Sequence, residues 1–155
     1  MLTRIQRIQL IQIALNGAPA EEAGVLSEVA AQTCAATAAH YKKAGFSPPW
    51  VGYLAISDSD IIGTCAFTAA PAAGRVEIAY HTFPGFEGRG VATAMAAELI
   101  ALACGVQPGM EIFAQTLPKK NASHAILRKL GFRFFSAIDH PEEGQVWEWR
   151  LTSSI

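Results

Sequence analysis

The sequence predicts a single-domain, mixed α/β protein of the α+β kind, with a mostly antiparallel central sheet flanked by helices. The chain has 155 residues, a length that favours one domain over residues 1–155. Its residues are 51% hydrophobic, which suffices for a packed core and is too much for a disordered chain. Strand-like segments joined by short turns alternate with helix-like segments that end near glycine, and this order indicates the mixed class.

The first half of the chain predicts one or two helices and four strands. Residues 3–13 are rich in isoleucine and read as a first strand. Residues 19–45 contain good helix formers, and the helical pattern closes on a glycine. Residues 50–57, 61–70 and 75–83 are apolar segments separated only by short turns. We therefore expect these three consecutive strands to be antiparallel neighbours.

The second half predicts two helices and three strands. Residues 88–104 form a helix with small or apolar residues almost all round, so we expect it to be deeply packed. A strand follows at 110–117, and a short helix at 121–132 ends in the usual C-terminal way at a glycine. Strands at 133–138 and 145–151 flank an acidic turn.

The charge pattern bears on the kind of partner. The net charge is −1, so the chain lacks the overall positive charge that binds nucleic acid or a membrane surface. We expect neither as a partner. No acidic residue lies between Glu111 and Asp139, although that stretch is basic at Lys119, Lys120, Arg128, Lys129 and Arg133. This local excess suits a small anionic ligand, and an ordinary solvated face is the alternative.

The three cysteines, Cys34, Cys65 and Cys104, are odd in number. We expect them to be reduced in a cytoplasmic protein, with Cys65 and Cys104 buried because they lie in apolar runs. Together with the four histidines they show no metal-ligand spacing, so we expect no metal site. No apolar run is long enough to cross a bilayer.

The stretch VEIAYHTFPGFEGRGVATAMAAEL leads from a strand through a glycine-rich turn into a helix. The first amides of a helix lack partners and favour an anion, and glycines let phosphate oxygens approach the backbone. Gly88, Gly90 and Ala92 fit this arrangement, while Thr93 adds a hydroxyl and Arg89 a cation. A diphosphate is therefore the expected ligand, and a glycine-rich turn that binds no ligand is the alternative. The spacings of the P-loop and of the dinucleotide fingerprint are both absent.

Two motifs carry a family resemblance. PGFEGRGVAT resembles the acetyl-CoA-binding motif of the GNAT superfamily of N-acetyltransferases, and LPKKNASHAILRKLGF is similar to the later segment of that family. The second segment is nearest to the ribosomal-protein N-terminal acetyltransferase branch. The sequence departs from the family pattern twice: Glu87 replaces the usual Gln or Arg, and Asn121 is displaced by one position, with Lys120 in its slot.

The resemblance implies a GNAT-like fold and an acetyl-CoA-dependent N-acetyltransferase, in which a primary amine attacks directly within a ternary complex. A non-catalytic acyl-CoA-binding or sensing module of the same fold is the alternative, and a phosphate-binding domain unrelated to CoA is a third. Main-chain groups of residues 80–82 would bind the pantetheine arm and polarise the thioester, residues 88–93 would hold the diphosphate, and Lys119 or Lys120 would assist Arg89. The implied cofactor-binding residues are Tyr80, His81, Thr82, Gly88, Arg89, Gly90, Val91, Ala92, Thr93 and Asn121.

The resemblance also suggests catalytic roles. Glu77 is the candidate base, and an exposed carboxylate or a partner for Arg75 is the equal alternative. Glu111 is the second candidate base. Many family members place a tyrosine acid where this chain has Leu127, so that role is vacant. Ser123 matches the serine that contacts the thiolate in the ribosomal-protein branch, with a plain helix N-terminal hydroxyl as its alternative.

His81 and His124 are more simply explained as surface or structural histidines than as bases, and we expect His124 to point to solvent. Trp147 and Trp149 are two residues apart and so lie on the same face of one strand. We expect them to pack in the core rather than to form a wall of the acceptor pocket. The acceptor itself is either a small-molecule amine or a protein N-terminus. Since dimers are common in the family, a homodimer is a further expectation.

Overall fold

The computed structural model describes residues 7–119 and 121–151, and its centre is one seven-stranded sheet. The strands are β1 (Gln9–Gln12), β2 (Gly52–Ser57), β3 (Asp60–Phe67), β4 (Arg75–Thr82), β5 (Glu111–Thr116), β6 (Phe132–His140) and β7 (Gly144–Leu151). All seven predicted strands are present. The opening residues of the predicted first strand, 3–6, lie outside the described residues.

The strand order is β1-β2-β3-β4-β5-β7-β6. The strands β2, β3 and β4 form an antiparallel meander, as the short turns predict, and β1 adds to it as an antiparallel neighbour of β2. Only β4 and β5 are parallel, and β7 lies between β5 and β6, antiparallel to both. The prediction of a mostly antiparallel mixed sheet is confirmed.

Within the described part of the chain, three helices flank the sheet: α1 (Glu28–Ala44), α2 (Val91–Val106) and α3 (Ala122–Lys129). The stretch 19–45 contains one described helix, α1, which begins after Ser27. The Ser27 side chain caps its first turn by accepting a hydrogen bond from the Ala30 amide at 3.2 Å. The chain leaves it at Gly45, whose positive φ of 91° suits glycine. Across the described residues we find no helix with the length and apolarity needed to traverse a membrane.

The helix α2 packs one face on the sheet. Val91, Met95 and Leu99 are buried there, and Ile78 of β4 is buried in the same core. Glu98 and Cys104 are exposed on the other side. The helix is therefore deeply packed on one face only, and the expectation of a buried Cys104 is wrong. Small alanines are compatible with an exposed helical surface, so apolar composition alone does not imply complete burial.

The position of α3 is fixed by His124, which is 3% exposed. Its Nε2 lies 3.0 Å from Oγ1 of Thr116 and 3.2 Å from the carbonyl oxygen of Leu117. The ring stacks on Trp147, and Trp149 is also within the same aromatic cluster. His124 is therefore structural, as expected, but the expectation that it points to solvent is wrong. Trp149 is a core residue at 1% exposure, as predicted.

Candidate active site

The sheet opens between β4 and β5. These strands pair over three residues only, from Arg75↔Glu111 to Glu77↔Phe113, and they then diverge. The rest of β4, residues 78–82, keeps β3 as its neighbour on one side. The rest of β5 pairs with β7. The edge of β4 that faces the gap thus lacks a neighbouring strand among the described residues. Its backbone groups are available to an extended ligand.

The glycine-rich turn lies directly after β4 and begins α2. Gly88 and Gly90 both have φ of 78°, a left-handed conformation that other residues rarely adopt. Gly90 is the N-cap of α2, and no side chain caps the helix there. No acidic residue occupies the first turn. The free amides and the helix dipole therefore form an anion-binding end at the mouth of the gap.

Arg89 gives a second indication of an anion at this turn. Its Nε is buried without a hydrogen-bond partner among the described residues. The guanidinium carbon lies 5.6 Å from the centroid of the Phe86 ring. A buried donor without a partner is costly, so a ligand oxygen would satisfy it. These features fit a diphosphate. Lys120, the other predicted cation, lies outside the described residues.

Glu87 does not extend toward the helix end. Its Oε1 accepts a hydrogen bond from the Gly85 amide at 2.8 Å, so the carboxylate is folded back on its own loop. Hydrogen bonds from the backbone amides of Glu87 and Gly85 lower the pKa of this exposed carboxyl, which keeps it ionised. The substitution therefore leaves the turn intact but places a fixed negative charge beside an anion site.

Glu77 lies where β4 and β5 begin to separate. Its Oε1 accepts a hydrogen bond from Oγ1 of Thr68 at 2.9 Å. Burial raises the pKa of the Glu77 carboxyl, and the bond from Thr68 only partly offsets this effect. A half-buried carboxyl with a raised pKa is suited to accept a proton near neutrality. It is not bonded to Arg75, which was the alternative.

Arg75 belongs instead to a network with both other nearby glutamates. It is ion-paired with Glu111, and its Nη2 lies 2.8 Å from Oε2 of Glu148. Arg150 completes the network, with its Nε 2.7 Å from the same Glu148 oxygen and its Nη1 3.5 Å from Glu111. Glu111, the second candidate base, is thus engaged by two guanidinium groups. Because its carboxylate is held in these ion pairs, Glu77 is the better candidate base.

Ser123 stands at the start of α3, but it does not cap the helix. Asn121 is the N-cap, since its Oδ1 accepts a hydrogen bond from the Ser123 amide at 2.9 Å. The Ser123 side chain is instead near the Tyr80 phenol, although no direct hydrogen bond joins the two side chains among the described residues. Burial raises the pKa of Tyr80, and the contact with Ser123 lowers it by less. Leu127, at the position of the family tyrosine, is fully buried.

The two faces of β4 separate these groups. Side chains alternate along a strand, so Glu77 and His81 lie on the face toward α1, and Tyr80 lies on the face toward α2 and α3. Thr82 shares the Tyr80 face. The structure therefore places Glu77 and Ser123 on opposite sides of the gap, with the main chain of β4 between them.

The remaining predicted cofactor residues lie in the first turn of α2. Val91 is 2% exposed and packs into the core, so only its main chain is available to a ligand. Ala92 and Thr93 are half-buried.

Sequence reasoning missed two contributors to the site. Thr68 hydrogen-bonds Glu77 from the neighbouring strand, and the side chain of Tyr80 faces Ser123. Strand register is a signal for the first contact, since Thr68 follows the pair Phe67↔Ile78 and so lies opposite Glu77. The second contact depends on how α3 packs, for which the sequence carries no local signal. The described residues also contain no group of three or more potential metal ligands.

A family model of the acetyltransferase (GNAT) domain matches residues 13–133. This match covers most of the chain, and the protein belongs to the GNAT acetyltransferase family. It is thus an acetyltransferase, and the resemblance carried by the two motifs is confirmed. No curated protein sequence matches the chain significantly.

Solved structures share the fold. A RimL ribosomal L7/L12 α-N-protein acetyltransferase in complex with coenzyme A is 17% identical, with 81% of this chain and 73% of that chain covered and a TM-score of 0.62. The microcin C7 self-immunity acetyltransferase MccE, with acetyl-CoA and AMP, is 13% identical over 79% and 69%, with a TM-score of 0.62. RimJ from Mycobacterium smegmatis is 19% identical over 79% and 60%, with a TM-score of 0.59.

Proposed function

We propose that this protein transfers the acetyl group of acetyl-CoA to a primary amine, by direct attack of the amine while both substrates are bound. One observation carries the proposal. The gap between β4 and β5 has an anion-binding helix end at its mouth, a carboxyl of raised pKa on one face and a hydroxyl pair on the other. Such a gap admits two reactants from opposite sides and holds them in line.

The cosubstrate is assigned to residues of β4, the glycine turn and the start of α2. The amides from Gly88 to Thr93 and the orphaned Nε of Arg89 bind the diphosphate. The unpaired edge of β4, formed by Tyr80, His81 and Thr82, binds the pantetheine arm. An amide on that edge stabilises charge that develops on the acetyl carbonyl oxygen. When bound, acetyl-CoA supplies the activated acetyl group.

Glu77 is the proposed base. It lies on the face opposite Ser123, at the point where an amine would reach the gap. An amine must lose a proton to act as a nucleophile, and a carboxylate of raised pKa accepts that proton either directly or through water. Thr68 holds the carboxylate in place through its hydroxyl hydrogen bond.

Ser123 and Tyr80 are proposed to stabilise the leaving thiolate. The serine hydroxyl is not consumed by helix capping, because Asn121 performs that role. The raised pKa of the Tyr80 phenol keeps it protonated near neutrality, so it remains a hydrogen-bond donor. Asn121 supports cosubstrate binding indirectly, by fixing the first turn of α3.

The acceptor is a small-molecule amine or a protein N-terminus. The structural neighbour RimL is a ribosomal L7/L12 α-N-protein acetyltransferase by name, which supports a protein N-terminus. We also propose a cytoplasmic location. The support is chemical: Cys34 and Cys65 are buried free thiols, which suits a reducing compartment.

Calorimetric titration with acetyl-CoA, with dephospho-CoA and ADP as comparators, tests the cosubstrate. We expect acetyl-CoA to bind more tightly than ADP, since ADP lacks the arm that lies along β4. Release of free thiol in the presence of amines then tests transfer. Glu77→Gln is expected to lower kcat by about a hundredfold while it leaves the Kd for acetyl-CoA unchanged. Binding without transfer to any amine would support the non-catalytic module instead.

A further inference from the structure

A cavity of about 370 Å³ lies between α1 and the sheet, on the Glu77 side of β4. Its helix wall is one face of α1, formed by Thr33, Ala36, Thr37 and His40 at the spacing of successive helical turns. The cavity is open to solvent on one side, so a ligand group can enter it from the surface. A space of this size has room for about a dozen waters and therefore for a ligand group.

Small side chains on the sheet create this space. Thr64 and Ala66 of β3 and Ala79 of β4 form the floor, and Ala66 and Ala79 are direct cross-strand partners. His81 continues the same face of β4 and is exposed at the side of the cavity. Two opposed alanines, at a position where a sheet usually carries larger residues, leave the space between α1 and the sheet unfilled.

The walls present mainly carbon to the cavity. The Thr37 hydroxyl donates to the Thr33 carbonyl at 2.8 Å, and the Thr64 hydroxyl donates to the Tyr53 carbonyl at 2.8 Å. The Tyr41 hydroxyl, also part of the wall, donates to a main-chain carbonyl at 2.7 Å. These hydroxyl protons are all used within the protein, so the threonine methyl groups remain to meet a ligand.

Carboxylate, ammonium and guanidinium groups are absent from the described lining of the cavity, where His40 and His81 are the basic side chains. Of the described residues that surround the cavity, none is an aspartate, glutamate, lysine or arginine. A charged group placed here would lose hydration without gaining a partner, and this loss is expensive. An apolar group would gain by leaving water.

The cavity connects to the proposed base through Thr68. This residue lines the cavity, and its hydroxyl donates to the Glu77 carboxylate at 2.9 Å. An amine held near Glu77 would therefore have its substituent next to the cavity. The Glu77 carboxylate favours the amine itself. The carbon-lined cavity favours an apolar substituent on that amine.

We propose that the acceptor carries an uncharged, largely apolar group next to its primary amine, of the size of an aryl or branched alkyl chain, and that this group occupies the cavity. The proposal rests on the proposed function, since it places the amine at Glu77. The same chemistry is offered by a free arylalkylamine and by a polypeptide whose first side chain is apolar.

Acetyl transfer to matched amines tests the proposal. One arm compares 2-phenylethylamine with putrescine, whose substituent ends in a second ammonium group, and with β-alanine, whose substituent is a carboxylate. The other arm compares the tripeptides Phe-Gly-Gly and Glu-Gly-Gly. We expect kcat/KM for the apolar member of each successful arm to exceed that of its charged counterparts by about tenfold or more. The arm with the higher rates identifies the source. Equal rates for charged and apolar acceptors would overturn the proposal.

Two alanine variants of α1 test the location. Ala36→Leu fills the cavity, and we expect it to raise KM for the apolar amine by about tenfold while the Kd for acetyl-CoA stays unchanged. Ala35→Leu is the control, because Ala35 is exposed on the opposite side of α1. An unchanged KM in folded Ala36→Leu protein would refute this site. Thermal unfolding checks that both variants fold.

Binding of the same amines to the complex with CoA, measured by calorimetry, separates this proposal from the proposed function. Selective binding of 2-phenylethylamine that Ala36→Leu abolishes would support the cavity even if no transfer occurred, and the enzymatic proposal alone would then fail. Transfer with no preference for apolar acceptors would leave the enzyme in place and refute the cavity as its acceptor site.

Discussion

The hydrogen bond from Thr68 to Glu77 allows a direct test of the base. Thr68→Val keeps the shape of the side chain and removes the hydroxyl that donates to the carboxylate at 2.9 Å. This bond stabilises the ionised form, so its loss raises the pKa of Glu77 above the value that burial already gives it. A carboxylate must be ionised to act as a base. The acidic limb of the pH–activity profile should therefore shift to higher pH.

The size of the effect follows from the energy of the bond. A hydrogen bond to a charged group contributes about 1.5 kcal/mol at the low end of the usual range. This energy corresponds to about a tenfold change in proton affinity. The acidic limb of the kcat/KM profile should thus move upward by about one pH unit, and the rate below the limb should fall by about tenfold. The plateau at high pH should be unchanged.

The assay is thiol release from acetyl-CoA at a series of pH values with one amine. Thr64→Val is the matched control, because Thr64 lies on the same face of β3 but donates to the Tyr53 carbonyl instead. Its acidic limb should coincide with that of the natural protein. If Thr68→Val leaves the limb in place, Glu77 does not control the pH dependence and the assignment of the base is wrong.

Three further predictions concern other parts of the molecule. Tyr80→Phe and Ser123→Ala should each lower kcat by about tenfold or more, with the calorimetric Kd for acetyl-CoA unchanged, and an unaltered kcat would refute their role at the thiolate. Glu87→Gln should tighten acetyl-CoA binding a few-fold, most clearly at low salt, whereas an unchanged or weaker affinity would contradict the repulsion. Glu148→Ala should destabilise the fold by about 3 kcal/mol in urea unfolding, since Glu148 is a buried partner of two arginines; Glu111→Gln, at the more exposed side, should cost about 1 kcal/mol or less.

The strand, turn and helix around the glycines could be predicted because all the information there is local. Positive φ at Gly88 and Gly90 is required by the turn, and only glycine adopts it at low cost. The antiparallel meander follows from the same kind of evidence, since turns of a few residues allow no other pairing. The position of β7 between β5 and β6 has no local signal and is set by packing across the sheet.

The side-chain contacts of the site depended on facts that sequence spacing does not contain. Alternation along β4 separates Tyr80 from His81, but only the packing of α2 and α3 decides which face holds Ser123. His124 was expected at the surface because a short helix usually exposes its polar residues. Its burial is explained by stacking on Trp147 and by the hydrogen bond with Thr116, which come from distant strands.

The short pairing of β4 with β5 has a mechanical consequence. The seven strands behave as two panels, one ending in β4 and one beginning with β5, joined along only three residue pairs and by the ion pairs of Arg75. A ligand that lies in the gap contacts both panels and therefore stabilises their position relative to each other. Binding should therefore slow amide exchange in both panels together and raise the melting temperature as ligand concentration increases.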